Sequence, residues 1–401
     1  MGLIVQKFGG SSVANAERIN NVAKIVTDTY KEGNQVVVVV SAQGDTTDDF
    51  IEKANEINNA PSKRELDVLL SAGEQISMSL LAMAIEKLGY PVTSLTGWQA
   101  GIETTSVNGD ARIKKVNINR MQREIDRKRI VIVAGFQGLD KYNNITTLGR
   151  GGSDTTAVAI AAKISADLCQ IYTDVDGVYT ADPRIVSNAE KLEEITFNEM
   201  LELASLGAQV LHNRSVEMGK KYGVNMEVVS SFERKPGTKI KEATQMEQRN
   251  VSGVTSDNNT TRIAITGIPD QPGFAFRVFS AMSKGNISVD MILQSIGRND
   301  TKDISFTVSR ADGQKAMDIL NEQKGAIKFE EIHMNDKISK VSIVGAGMVS
   351  NCGIATTMFE ALFDSNINIH MISTTEIKIS VLIDEDQSKL AVKAIHSKFF
   401  D

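Results

Sequence analysis

Strand-length apolar runs alternate with helix-period segments over the first 245 residues. Residues 3–8 are strand-like, and residues 16–26 carry Ile19, Val22, Ala23 and Val26 at helical spacing. Residues 36–40 are five consecutive valines, the pattern of a strand buried on both faces, and residues 130–134 form a second such run. Residues 76–88 and 156–164 read as helices, and residues 168–173 as a further strand. This alternation predicts a mostly parallel sheet covered by helices, with ligands beyond the carboxyl ends of the strands. No segment approaches the roughly 20 apolar residues expected of a membrane span.

The pattern changes across residues 235–259, a polar stretch with a strand-like piece at 251–255, read as the domain boundary. Beyond Arg262 it repeats. Gly273 and Gly353, Phe279 and Phe359, and Asn286 and Asn366 share one offset. Each copy reads strand, helix, strand, strand, helix, and a last strand would complete a ferredoxin-like unit. The first copy has a candidate at 326–332. The second ends at Asp401 without one, so residues 251–255 are expected to supply it, with the first unit inserted within the second. Phe279 and Phe359 read as core.

Composition narrows the classes. A chain of 401 residues suggests two to four domains. A net charge of -6 with one Trp gives no global nucleic-acid signature. Cys169 and Cys352 are far apart and offer neither a disulfide framework nor zinc spacing. His212, His333, His370 and His396 lack metal or triad spacing, and no protein-held metal is expected. The N-terminus lacks a cationic region before its short apolar run. A reducing, cytoplasmic setting is expected, with no membrane or nucleic-acid partner.

Three segments could carry chemistry. Lys7-Phe8-Gly9-Gly10-Ser11-Ser12 lies between the first strand and helix, where glycines bring backbone N–H groups to a phosphate and Lys7 could neutralise it. A plain glycine turn explains it equally well. Gly149-Arg150-Gly151-Gly152-Ser153-Asp154 precedes a helix, and Arg150 among three glycines favours carboxylate or phosphate binding. Thr173-Asp174 ends a strand, and the turn signals Asp176-Gly177 and Asp182-Pro183 follow. Ser71-Ala72-Gly73-Glu74 has capping-box spacing, so Glu74 alone reads as a helix cap. Ser41 ends the valine strand and Thr47 follows in its loop.

Taken together these segments resemble the monofunctional aspartokinase family within the amino acid kinase superfamily. The resemblance spans nearly the whole chain, and the doubled C-terminal unit is similar to a pair of ACT domains. It implies a three-layer αβα kinase fold with a mainly parallel sheet, followed by two ferredoxin-like α+β domains. The expected division is 1–245, 262–337 and 338–401, the last completed by 250–257. The implied reaction is ATP-dependent phosphorylation of the aspartate side-chain carboxylate, with Mg²⁺, feeding lysine, threonine and methionine synthesis. The resemblance makes Lys7, Glu74, Arg150 and Asp174 catalytic. It places Ser41, Thr47, Gly151, Gly152, Ser153 and Asp154 with Glu74 and Arg150 around aspartate. Glu74 would meet the substrate ammonium and Arg150 a carboxylate. Lys7, Phe8, Gly9, Gly10, Ser11, Thr173, Asp174, Tyr179, Asp182 and Arg184 would meet ATP or its Mg²⁺. Gln209 departs from relatives that carry Lys there and is left out.

For control, the resemblance implies lysine and/or threonine as effectors. They would bind at Asp270, Gln271, Pro272, Gly273, Phe274 and Ala275 in a loop, and at Asn286, Ile287, Asp290 and Gln294 on the next strand. A homo-oligomer joined through the ACT units is expected, with a shorter ACT-only subunit starting at Met246 as one arrangement. Two other readings stand beside it: another kinase of the superfamily, such as one for acetylglutamate, and a catalytically silent amino-acid sensor.

Overall fold

Valine and isoleucine runs with no water-facing side form the middle of an eight-stranded sheet in the computed structural model, which describes residues 2–206, 210–243, 250–297, 301–348 and 351–401. Its strands are β1 (Leu3–Phe8), β2 (Gln35–Val40), β3 (Val92–Leu95), β4 (Ile130–Ala134), β5 (Leu168–Thr173), β6 (Glu194–Thr196), β7 (Met226–Ser230) and β8 (Thr238–Lys241). The order is β6-β8-β7-β5-β1-β2-β4-β3, and every neighbouring pair is parallel except β7 with β8. On one face Val36, Val38, Val40, Ile130 and Ile132 pack with Ile19, Val22 and Val26 of α1 (Ala16–Lys31) and Leu81 and Ile85 of α2 (Lys63–Lys87). On the other, α3 (Gly152–Ile164) lies over β1, β2 and β5, buried along nearly its whole length. This is the three-layer αβα arrangement. A small four-stranded sheet, including Ile102–Thr104 and Gln137–Leu139, is appended to it.

The second helix corrects three expectations. It begins at Lys63 rather than at residue 76, because Ser62 caps it by accepting from Glu65 N. Ser71 and Glu74 are therefore mid-helix, and Ser71 Oγ bonds back to Val68 O, so the capping reading of Glu74 fails. At 25 residues and a mean hydropathy of 1.5, this helix has the length and composition of a membrane span, which none of the segments was expected to have. Half of its apolar stretch is buried within the protein, as in a core helix. Thr47 also belongs to a helix, Thr46–Ile57, rather than to a loop.

The chain forms two compact units. The catalytic sheet belongs to the first. The second comprises Tyr179–Glu190, Ser205–Ala208 and Glu247–Asp401. Its two antiparallel sheets repeat one design. Their strands are β9 (Gly253–Asp257), β10 (Thr260–Pro269), β11 (Ile292–Ile296), β12 (Thr301–Ser309), β13 (Glu331–Asn335), β14 (Ile338–Val344), β15 (Met371–Thr374) and β16 (Lys378–Asp384). One sheet runs β11-β12-β10-β13 and the other β9-β14-β16-β15. In the second, β9 pairs antiparallel with β14 from Gly253↔Val344 to Asp257↔Lys340. A segment upstream of the first copy thus lies at the edge of the second copy's sheet.

Each copy has a helix after its first strand and another after its third; in the first copy these are α4 (Phe274–Lys284) and α5 (Gly313–Glu322). The second copy's pair is α6 (Ile354–Asp364) and α7 (Ser388–Phe400). Phe279 packs edge-on to Phe306, and Phe359 lies against the second copy's core, both as expected. Two expectations shift. The first copy's last strand begins later than residue 326: Lys324–Ile327 is helical and Lys328 has a φ of 58°, so the strand runs Glu331–Asn335. Asn286, Ile287 and Asp290 precede β11 rather than lying on it, because Asn286 turns the chain at φ 54°; only Gln294 is on the strand. Met246 and Gln209 lie outside the described residues.

Candidate active site

The carboxyl ends of the parallel strands deliver the charged groups. Lys7 is the penultimate residue of β1, and its Nζ lies 2.6 Å from Asp154 Oδ1 in the first turn of α3. Both side chains are about nine-tenths buried, and the helix N-terminus favours the carboxylate. Gly9 and Gly10 follow directly. A Cβ on Gly10 would come within 2.9 Å of Ala42 O, so glycine lets the loops after β1 and β2 run against each other. Gly44 N donates to Gly10 O, and Ser41 N to Phe8 O, across the same seam. Phe8 itself is buried and stacks on Tyr172 at 4.5 Å. Ser11 is exposed.

Glu74 reaches that seam from α2. It is 3% exposed, and its Oε1 accepts from Ala42 N at 3.1 Å. Its Oε2 has no hydrogen-bond partner. Burial pushes the carboxyl up to about 8, against the smaller opposing effect of backbone donors. A buried carboxylate with one unused oxygen is a receptor for a cation. Ser153, next to Asp154, is also buried, and lies beside Gly135 just beyond β4.

Arg150 is exposed and faces a pocket of about 430 Å³ shared with Arg112, Arg214 and His212. Gly151 has a φ of 67°, and a Cβ there would lie 2.1 Å from His212 Cγ, so no other residue fits. Gly152 begins α3. At the end of β5, Thr173 Oγ1 donates to Asp174 Oδ1 at 3.1 Å, and Asp174 is exposed.

Other expected contacts fall in the second unit. Tyr179, Asp182 and Arg184 belong to its segment Tyr179–Glu190. Arg184 donates to Asp182 Oδ2 at 2.8 Å and, as the leading cause, holds that carboxyl below its ordinary range. In the first repeat Asp270 pairs with Lys302 at 3.2 Å. Asp290 pairs with Lys340 at 2.5 Å, and Lys340, 6% exposed, also lies 3.7 Å from Asp257. Gln271 and Pro272 are exposed beside Gly273, which precedes α4 at φ 99°; Phe274 is buried and Ala275 partly so.

Sequence reasoning missed four residues around Arg150. Arg214 and Arg112 line its pocket, and His212, read as structural, covers Gly151. Asp67 of α2 accepts from Thr147 Oγ1 at 2.6 Å and from Gly109 N at 3.1 Å. None has a motif, because each acts across distant chain segments.

The comparisons with known proteins agree with this arrangement. The model of the amino acid kinase family matches residues 2–230, and the ACT domain model matches 263–323 and 341–399. An aspartokinase of Corynebacterium efficiens is 50% identical over 405 residues, covering 100% of this chain and 96% of that protein. The chain belongs to the aspartokinase family. E. coli aspartokinase III, solved in complex with aspartate and ADP in its R-state, matches at 25% identity with a TM-score of 0.85, over 100% of both chains. Its T-state complex with lysine and aspartate matches over 100% of both chains at 25% identity and a TM-score of 0.78. This aspartokinase is an ATP-using aspartate kinase with ACT domains and allosteric regulation, so neither a different kinase nor a silent sensor describes it.

Proposed function

We propose that this aspartokinase transfers the γ-phosphoryl group of ATP to the side-chain carboxylate of L-aspartate, giving 4-phospho-L-aspartate and ADP. The carboxylate is already a nucleophile at neutral pH, so positioning and charge neutralisation are what the protein must supply. The observation that carries the reading is that the Lys7–Asp154 ion pair and Glu74, whose buried Oε2 has no hydrogen-bond partner, meet at one seam. Lys7 would steady the transferring phosphoryl group, with Gly9, Gly10 and Ser11 cradling phosphates. Glu74 would take the substrate ammonium and Arg150 a carboxylate, with Ser41, Thr47 and Ser153 completing the pocket. Among the described residues no three Asp, Glu, His or Cys side chains come together as a metal cage. Mg²⁺ would arrive on ATP, held by phosphates, waters and one or two carboxylates, of which Asp174 is the exposed candidate. Thr173, Tyr179, Asp182 and Arg184 complete the proposed nucleotide contacts.

We assign feedback to lysine and/or threonine at the first ACT copy; the lysine-bound T-state of the E. coli enzyme supports lysine. A cytoplasmic homo-oligomer serving lysine, threonine and methionine synthesis is the setting proposed, with the domain division 1–245, 262–337 and 338–401 completed by 250–257. Met246 remains the proposed start of an ACT-only subunit.

The test uses ADP release with L-aspartate, L-glutamate and N-acetylglutamate, while hydroxylamine traps any acyl phosphate. Aspartate hydroxamate formed on the side-chain carboxyl is expected. Trapping at the α-carboxyl, or a preference for N-acetylglutamate, would overturn the reading.

A further inference from the structure

We infer that Arg214 is a positioning residue for aspartate, acting through the loop that presents Arg150. This rests on the assignment of Arg150 to a substrate carboxylate. Arg214 is the second residue of the helix Asn213–Tyr222, and its side chain is only 11% exposed. Its fork spans two loops: Nη1 donates to Leu148 O and Nη2 to Ala111 O, each at 2.7 Å. Leu148 lies two residues before Arg150. Burial, then the neighbouring Arg112, holds the Arg214 pKa below its ordinary value, and Asp110 lies 3.7 Å away. The guanidinium is thus spent first on two backbone carbonyls at 2.7 Å, with Asp110 as a longer ion-pair partner.

The rest of the loop is fixed by the same neighbours. Ala111 N donates to Thr147 O at 2.9 Å, tying the two loops directly. A Cβ on Gly149 would meet Gly109 O at 3.1 Å, and Gly109 N is held by Asp67. On the far side, Gly151 fits under the ring of His212, two residues before Arg214. Arg150 therefore projects from a backbone gripped at 148, 149 and 151, while its own side chain stays exposed and free to take a carboxylate. Two carbonyls in separate loops need a planar fork; the single ammonium of lysine cannot bridge both in the same way. A loop moved by about 1 Å costs on the order of a hundredfold when it carries a reacting or binding group.

The experiment is a double-mutant cycle on the full chain, with Arg150→Ala, Arg214→Lys and the pair, measuring kcat and both KM values with a melting curve for each. Arg214→Lys is expected to raise the aspartate KM roughly ten- to a hundredfold, with the ATP KM within about twofold and kcat at saturating aspartate largely kept. In the Arg150→Ala background the same change should add almost nothing. If Arg150→Ala raises the aspartate KM but Arg214→Lys does not, or if the two effects multiply, the positioning role is wrong. Equal losses in both KM values and kcat, with a lowered melting temperature, would mean a general structural role and overturn it too. If Arg150→Ala itself leaves the aspartate KM unchanged, the substrate assignment has failed and this inference falls with it. Arg214→Gln, which keeps one donor, separates poor folding from lost positioning.

Discussion

The catalytic sheet and the regulatory repeats place charge in opposite ways. At the catalytic seam, Lys7, Asp154 and Glu74 are buried at the ends of parallel strands, and one Glu74 oxygen is left without a partner. In the first repeat, Asp270 is half exposed and already paired with Lys302. Parallel strands send successive loops to one end, so a pocket there is walled by several loops and dries out. A four-stranded antiparallel sheet with helices on one side leaves its loops and other face to solvent or to a partner. Buried groups pay for transition-state contacts in strained ionisation; exposed ones can be replaced by a ligand at little cost to the fold.

The largest effect should come from Lys7. Lys7→Ala is expected to lower kcat by about 10²–10³, as for loss of one preorganised electrostatic donor, with a far smaller change in the aspartate KM. It also leaves Asp154 without its cation, so the double variant Lys7→Ala with Asp154→Asn separates lost catalysis from lost stability. Near-normal kcat in steady-state assays of Lys7→Ala would break the contrast drawn here at its catalytic end.

Glu74 should give the next effect, and a pH signature. Below the ordinary carboxylate range, folded and unfolded chains both hold its proton. Between that range and about 8 the unfolded chain releases it and the folded chain keeps it, so Glu74 lowers stability as pH rises through this window. Glu74→Gln removes that penalty, and its gain in melting temperature over the parent should grow with pH. A substrate ammonium favours the ionised form, so aspartate binding should release a proton and tighten as pH rises to about 8. In Glu74→Gln the aspartate KM should rise roughly tenfold or more and lose this pH dependence. Melting curves and kcat/KM profiles of the two proteins check both halves; a parallel profile in the variant would remove Glu74 from the substrate.

Much of the fold was legible because its signals are local. The five valines of β2 announce a strand with no wet face, and the repeat offset of Gly273 and Gly353 or Asn286 and Asn366 marks backbone positions with positive φ. What misled were local signals with two physical causes. Ser71 and Glu74 share the spacing of a cap, yet Ser62 and Glu65 share it too and lie at the true helix start. A cap is decided by where the helix begins, which depends on packing along all of α2. The Lys7–Asp154 pair joins residues 147 positions apart, and the Arg214 fork reaches residues 66 and 103 positions away. No periodicity reports such pairs. The resemblance supplied residue names for the site, whereas the geometry supplied their partners.

The smallest effect on the fold belongs to Asp270. Its pair with Lys302 is an exposed ion pair, with side-chain exposures of 53% and 25%, and such pairs contribute about 0–1 kcal/mol. Asp270→Ala should therefore barely move the melting temperature, and the uninhibited kcat should stay near that of the parent. Its consequence should appear only when an effector is added. A cationic amino acid that takes the carboxylate from Lys302 exchanges one ion pair for another, so the fold loses little and the effector gains a contact. Removing the carboxylate leaves Lys302 to repel the effector's ammonium. Inhibition by lysine or threonine should need roughly tenfold more effector or disappear, given one lost charge-assisted contact. Titrating each amino acid alone and both together against the kinase rate, in parent and variant, checks this. Unchanged inhibition curves would move the effector away from the loop at Asp270, whereas a fall in the uninhibited rate would show that this exposed pair is tied to catalysis after all.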